Sequence, residues 1–260
     1  MFLQIYLAKL KEKLMNTKIF QLITKNLKSA FNLPKYSAVL DTLGPNTRVD
    51  LLPWTPARYE KFKAAIEQRL DLQTEFAGSV KEVADKLDTL YMARFFSEIW
   101  RPNTDVYMYS GWSLADEINK QNPKAVLDVG CGYNQFKNRI DNLVGIDPFN
   151  NCADYMVSVA DYNVDERYDH ILALGSINFN ELVDIQNNLK KCRELLTENG
   201  KIYMRANPGI QWKTGPWVDI FAWNFEHANN IAKRIGFKLV TFKKDNNDRL
   251  FFIYEKINTI

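Results

Sequence analysis

The segment Val126-Leu127-Asp128-Val129-Gly130-Cys131-Gly132-Tyr133-Asn134 constrains the fold more than any other part of the chain. An aliphatic, β-branched run ends in a carboxylate and meets a glycine turn. Leu143-Val144-Gly145-Ile146-Asp147 then repeats the pattern of a strand closed by an acid. Short apolar runs of this kind suit parallel strands covered on both faces. Two such strands, each delivering an acid at its C-terminal end with a glycine loop between, describe a nucleoside-binding crevice.

The rest of the C-terminal part extends this pattern. Strands are expected at 125–129, 143–147, 155–159, 169–174, 200–205, 237–243 and 249–255, with helices at 113–121, 135–140, 181–197 and 219–235. Strands alternating with helices predict an α/β fold with a doubly wound, seven-stranded, mostly parallel sheet. Asp245-Asn246-Asn247-Asp248 reads as a turn, making the last strand antiparallel to its neighbour. Before residue 105 the pattern is helical. Thr55-Pro56 marks a helix start, and 57–76 and 79–100 carry apolar residues at three- and four-residue intervals, closing on Phe95, Phe96, Ile99 and Trp100. The expected division is an N-terminal helical region or lid over 1–104 and a nucleoside-binding domain over 105–260.

Gly130 and Gly132 let backbone approach a ligand, as in the dinucleotide fingerprint, but Asn134 and Gln135 occupy the places where a third glycine would stand. Asp128 discriminates further. A pyrophosphate at this turn would meet a repelling carboxylate. S-adenosylmethionine (SAM) carries an ammonium and a sulfonium instead, which that carboxylate attracts. Asp147 is placed to accept both ribose hydroxyls, one per oxygen.

These residues resemble the first two motifs of class I SAM-dependent methyltransferases, a Rossmann-like family. Val157-Ser158-Val159-Ala160-Asp161-Tyr162 resembles its third strand and acidic loop. The stretch from Tyr168 to Phe179 resembles the fourth strand and the loop beside the transferred methyl. That from Cys192 to Met204 resembles the following helix, turn and strand. The resemblance covers about residues 105 to 256, with Asn134 as its departure. It implies SAM as cofactor. The methionine end is expected near Asp128, Gly130, Gly132 and Tyr133, and ribose at Asp147. Adenine goes between Pro148, Phe149 and the Asp161-Tyr162 loop, and Leu174, Gly175 and Ser176 line the methyl side. Acceptor-binding residues are expected ahead of the first strand, at Tyr109 and Trp112, and after the fourth and fifth strands, at Asn178, Asn207 and Trp212. No catalytic base stands out. His170 begins a strand at the end away from the ligand, and His227 lies within a helix.

Composition sets bounds. Hydrophobic residues form 46% of the 260-residue chain, enough for an ordinary core. A net charge of +3 is too mild to argue for nucleic acid. Cys131, Cys152 and Cys192 show no paired spacing, which suggests a reducing compartment and no structural metal. No run is long enough for a transmembrane span, and the chain reads as cytoplasmic. Residues 1–31 combine an apolar helical stripe with lysines. Such a basic amphipathic helix packs on its own domain, the favoured expectation, or lies on a membrane or covers a partner; Met15 is an alternative start. The leading expectation is a SAM-dependent methyltransferase with an unidentified acceptor, a small molecule favoured over RNA or protein. A non-catalytic SAM-binding regulator or scaffold, or a nicotinamide-dependent oxidoreductase, remains open.

Overall fold

The computed structural model describes residues 35–37, 40–41, 56–179, 181–208 and 221–257. The expected helix over 1–31 and Trp212 lie outside them. In the N-terminal part, α1 spans Pro56–Glu67, α2 Leu70–Gln73 and α3 Val80–Arg94. A single stretch over 57–76 was expected; the structure breaks it where Arg69 N–H turns back to the Ile66 carbonyl. Ser79 and Glu82 cap α3 reciprocally, Glu82 Oε2 accepting the Ser79 N–H at 2.8 Å. From Phe95 to Ile99 the helix widens into one π-turn. These helices bury Phe62, Leu72, Leu87 and Leu90 in a small core of their own, against which Phe149 packs.

The sheet is formed by β1 (Val126–Val129), β2 (Leu143–Ile146), β3 (Tyr168–Leu174), β4 (Leu196–Ala206), β5 (Phe237–Lys244) and β6 (Leu250–Lys256). Their order is β2-β1-β3-β4-β6-β5. β2, β1, β3 and β4 run parallel, and β6 is antiparallel to both its neighbours. Side chains alternate between two buried faces, as the two-residue period of a strand requires. Val126, Leu172 and Tyr203 meet α4 (Trp112–Asn119) through Leu114 and Ile118. Leu127, Ile171 and Ile202 pack in the opposite core with Ile185 and Leu189 of α5 (Leu182–Leu195) and Ala228 and Ile231 of α6 (Phe225–Ile235).

Six strands form among the described residues rather than seven. Residues 155–159 make one bridge, Tyr155 to Ile146. There the backbone turns on itself: Val157 N–H bonds the Tyr155 carbonyl, and Asp161 N–H the Ser158 carbonyl. The expected helix at 135–140 is instead a succession of turns, with Lys137 bonded to Asn134 and Arg139 to Phe136. The last helix begins at Phe225 rather than 219. Trp223 is fully buried and bridges Pro208, so the chain is extended until Asn224 Oδ1 caps the His227 N–H at 2.8 Å. The 245–248 turn is as expected, with Asn247 and Asp248 successively at φ of 60° and 55°.

Candidate functional site

The glycine turn follows β1 directly. Gly130, Gly132 and Asn134 take φ of 70°, 54° and 53°. Asparagine tolerates this left-handed region better than most residues, so Asn134 meets the backbone demand of the missing glycine. Its amide bonds the Cys152 carbonyl at 3.2 Å and lies over Gly145, where a Cβ would overlap it. A Cβ at Gly130 would overlap Ser176. Ser176 in turn donates to the Val129 carbonyl, which fixes the loop after β3 against the turn.

Asp147 latches the turn. Its Oδ1 accepts the N–H groups of Phe149 and Asn150, each at 2.8 Å, and Oδ2 accepts that of Gly132 at 3.0 Å. A carboxylate offers about four lone-pair sites, so one remains, on Oδ2. The two-hydroxyl reading of Asp147 therefore reduces to a single acceptor position. Burial raises its pKa, and the three backbone donors oppose the shift. Asp128 is the opposite case. It is 3% exposed and makes no hydrogen bond among the described residues. Burial, and then the neighbouring Asp147 charge, push its pKa up to about 7.

Two adjoining chambers lie at these acids, Asp147 lining the larger and Asp128 the smaller. The larger is mostly apolar. Gly130, Gly132, Asp147, Pro148 and Phe149 line one side, Val157, Ser158 and Val159 another, and Leu174, Gly175, Ser176, Ile177 and Phe179 a third. Met92, Phe96 and Trp100, from α3 and the segment that follows it, roof it. Phe96 faces Phe149 with rings nearly parallel, centroids 6.4 Å apart, and meets Phe179 edge-on at 5.5 Å. The smaller chamber shares Trp100, Gly130 and Leu174 with the first and adds Thr104, Tyr107, Ser110, Asp128, Gln135 and Arg205. Arg205 is 9% exposed; its guanidinium lies over the Tyr107 ring and 3.4 Å from Asp245.

The structure thus gathers Gly130, Gly132, Asp147, Pro148, Leu174, Gly175 and Ser176 around the larger chamber and Asp128 in the smaller one beside it. Other sequence candidates lie elsewhere. Tyr133 donates to the Ser97 carbonyl and carries Arg101 on its ring, tying the turn to the roof. Asp161 is exposed and accepts from Ser158 Oγ at 2.6 Å, while Tyr162 is buried against Tyr168. Tyr109 stacks on Phe251 and Trp112 meets Phe136 edge-on. Asn178 ties the strand ends together: its Oδ1 accepts the Asn207 N–H at 3.1 Å, and its amide donates to the Arg205 carbonyl at 3.3 Å. His170 lies on the interior strand β3 toward the N-terminal end of the parallel strands, opposite Val126, the first residue of β1 and away from the cleft. His227 is exposed.

The residues not singled out as site residues from sequence are the roof of Met92, Phe96 and Trp100, and Thr104; Ser110 and Arg205 fall in the segments 107–112 and 205–217 from which acceptor contacts are expected. The roof's only sequence signal was the aromatic end of the second helical stretch.

No family model matches the chain, and no curated protein matches it. Solved structures do. The 1,6-didemethyltoxoflavin-N1-methyltransferase of Burkholderia thailandensis, solved with 1,6-didemethyltoxoflavin and S-adenosylhomocysteine, aligns at a TM-score of 0.53. Its identity is 12%, over 70% of this chain and 92% of that one. The CcbJ methyltransferase of Streptomyces caelestis aligns at 0.49, with 11% identity over 64% and 96% of the two chains. The magnesium protoporphyrin IX methyltransferase of Synechocystis aligns at 0.48, with 9% identity over 65% and 97%. Only the first exceeds 0.5 and bears on the fold. With the strand order and the acid-flanked glycine turn, it shows that this chain has the fold of class I SAM-dependent methyltransferases.

Proposed function

We propose that the chain is a SAM-dependent methyltransferase acting on a small-molecule acceptor. The observation that carries this reading is Asp128, a buried carboxylate without a hydrogen bond among the described residues, at a glycine turn that opens into an apolar cleft. A buried charge needs a partner, and a cationic ligand supplies one. The turn also lacks the attribute a pyrophosphate site requires. Among the described residues, turns rather than an α-helix follow it directly, up to β2, so no helix N-terminus stands at this turn.

The chambers fit a nucleoside with an amino-acid tail. Phe149, Val157 and Val159 form an apolar slot for the base, and the free lone pair of Asp147 Oδ2 suits one ribose hydroxyl. Gly130 and Gly132 allow backbone contact, and Asp128 faces the ammonium. SAM, when bound, supplies a methyl group on a sulfonium, and transfer is a displacement in line with the leaving sulfide. The protein's contribution is alignment and exclusion of water. Leu174, Gly175 and Ser176 position that side of the cleft, while Phe96 and Trp100 cover it. No His, Lys or Glu lines either chamber among the described residues. Asp128 and Asp147 are the carboxylates of the two chambers, and a base is needed only where the acceptor must lose its proton early. The described helices between Pro56 and Ile99 act as the lid of the catalytic domain. The Burkholderia structure, which holds a small-molecule acceptor, supports the same acceptor class.

The test is incubation with SAM labelled in its methyl group and a cell extract separated by size. Label moving to a low-mass fraction is the expected result. Label moving to RNA or protein would replace the acceptor class. S-adenosylhomocysteine binding without transfer to any fraction would favour a SAM-binding scaffold.

A further inference from the structure

The C-terminal end of β4 carries more positive charge than its surroundings neutralise. Arg205 stands there opposite Phe251, and Arg249 immediately precedes β6 at the same end of the sheet. Arg249 is two residues before Phe251, so the two-residue period sets it on the face that Arg205 occupies. Burial first, and then the Arg205 charge, hold the Arg249 guanidinium below the usual arginine range, with Tyr107 opposing the shift. Arg205 lies over that same Tyr107 ring, 4.0 Å from its centroid. The acid paired with Arg205 is Asp245, and its lone pairs are already taken. Its Oδ1 accepts the N–H groups of Met108, Tyr109 and Asn246 at 2.9, 3.2 and 2.9 Å, and its Oδ2 accepts Ser110 Oγ at 2.6 Å. Arg205 Nε reaches it only at 3.4 Å, and Nη2 reaches the Asn246 carbonyl at 3.5 Å. Arg205 Nη1 and the whole Arg249 side chain make no hydrogen bond among the described residues.

Asp128 does not neutralise this pair. It sits on β1, two strands from Arg205 and so about 10 Å away, and burial and Asp147 raise its pKa with no cation opposing them. The strand order then sets out three stations, β1, β3 and β4 with β6. Asp128 faces the ammonium at the first, and Leu174, Gly175 and Ser176 line the methyl side at the second. Arg205 and Arg249 stand at the third, beyond the methyl. An in-line displacement puts the acceptor on that far side, opposite the leaving sulfur. A guanidinium fork matches the oxygens of a carboxylate or a phosphate, and two such forks with one saturated acid leave room for one more negative charge. We infer that Arg205 and Arg249 hold an anionic group, a carboxylate or a phosphate, on the methyl acceptor, so that the enzyme acts on a small organic acid rather than on a neutral compound. Thr104, 4% exposed and with an unpartnered Oγ1, lines the smaller chamber beside Arg205 and adds a neutral donor. The inference rests on the SAM reading above.

The test divides the low-mass fraction of a cell extract on an anion exchanger at neutral pH, and then adds the intact chain and SAM labelled in its methyl group. The retained, anionic pool is expected to supply the acceptor. Phosphatase treatment of that pool abolishes transfer if the group is a phosphate monoester and leaves it if the group is a carboxylate. Transfer from the unretained pool alone overturns the assignment while leaving the SAM reading intact. No transfer from either pool overturns the methyltransferase reading and this inference with it. Arg249→Gln removes a side chain that makes no hydrogen bond within the described fold. Its half-saturating amount of the retained pool should rise about 10- to 100-fold, the worth of hydrogen bonds to a charged group. Its S-adenosylhomocysteine affinity should stay within about twofold, less than one such bond is worth. Arg249→Lys keeps the charge without the fork, and its half-saturation falls between the two. An unchanged half-saturation in both variants, or a loss confined to S-adenosylhomocysteine affinity, overturns the assignment.

Discussion

The floor of the cleft comes from one short run, Val126 to Asp147, and its geometry is local. Gly130 and Cys131 N–H groups both bond the Ile146 carbonyl, and Asp147 returns to Gly132. The roof comes from the end of α3, far away in sequence, and reaches the cleft because a separate helical core carries it there. Floor contacts are backbone hydrogen bonds at positions with a fixed φ. Roof contacts are partly buried rings, Phe96 and Trp100. The floor should therefore respond to substitution by loss of form, the roof by loss of affinity alone.

Gly130→Ala is the strongest way to break this contrast. The new Cβ overlaps Ser176 at a φ of 70°, and left-handed backbone alone costs a non-glycine residue about 1–2 kcal/mol. Thermal melting and calorimetry should show a lowered Tm together with loss of S-adenosylhomocysteine binding. Full binding with an unchanged Tm would mean that the turn is not the floor.

Phe96→Ala should separate the two regions. Phe96 lies parallel to Phe149 of the base slot and closes it, and an aromatic contact to a base is worth about 1–3 kcal/mol, so affinity should drop about 5- to 150-fold. The Tm should move less than in Gly130→Ala, because Phe96 is only partly buried. Equal losses of Tm in the two variants would erase the distinction.

Asp128 gives a pH signature. Its folded pKa of about 7 stands above the ordinary 3.8. Between those values the unfolded chain has released a proton that the folded chain keeps. Stability from this group therefore falls as pH rises across that window and levels off above about 7. Affinity for the cationic end of the ligand moves the other way, rising as the carboxylate ionises. Asp128→Asn should flatten both trends in melting and titration series; slopes unchanged in the variant would assign them to other groups.

The smallest effect belongs to Asp161→Ala. Its side chain is exposed and accepts from Ser158, and surface changes of this kind stay within about 0.5 kcal/mol. S-adenosylhomocysteine affinity should hold within about twofold on that scale. A larger loss would bring the acidic loop back to the base.

The same contrast explains what the sequence could tell. Asp128, Gly130 and Gly132 were legible because a strand, an acid and a glycine turn fix one another within a few residues. Asn134 was legible as a departure, and its left-handed φ explains why that departure is tolerated. Residues 155–159 look like a strand by composition, yet the chain turns away after Tyr155, since local hydrogen bonds compete with the ladder. Tyr162 shares its alternation with the core and is buried there. Phe96 and Trp100 carried only an apolar helical period, which does not say whether a ring meets a core or a cleft. Arg205 was legible only as the start of a loop at the active end of a strand, and Thr104 not at all, because their surroundings, Asp245 for the first and the smaller chamber for both, are assembled from segments far apart in the chain.

Calorimetric titration of the intact chain with S-adenosylhomocysteine and, separately, with NADH tests the central claim most directly. Micromolar S-adenosylhomocysteine binding with no heat from NADH is the predicted result. NADH binding, or no S-adenosylhomocysteine binding, would contradict the assignment of this cleft to SAM.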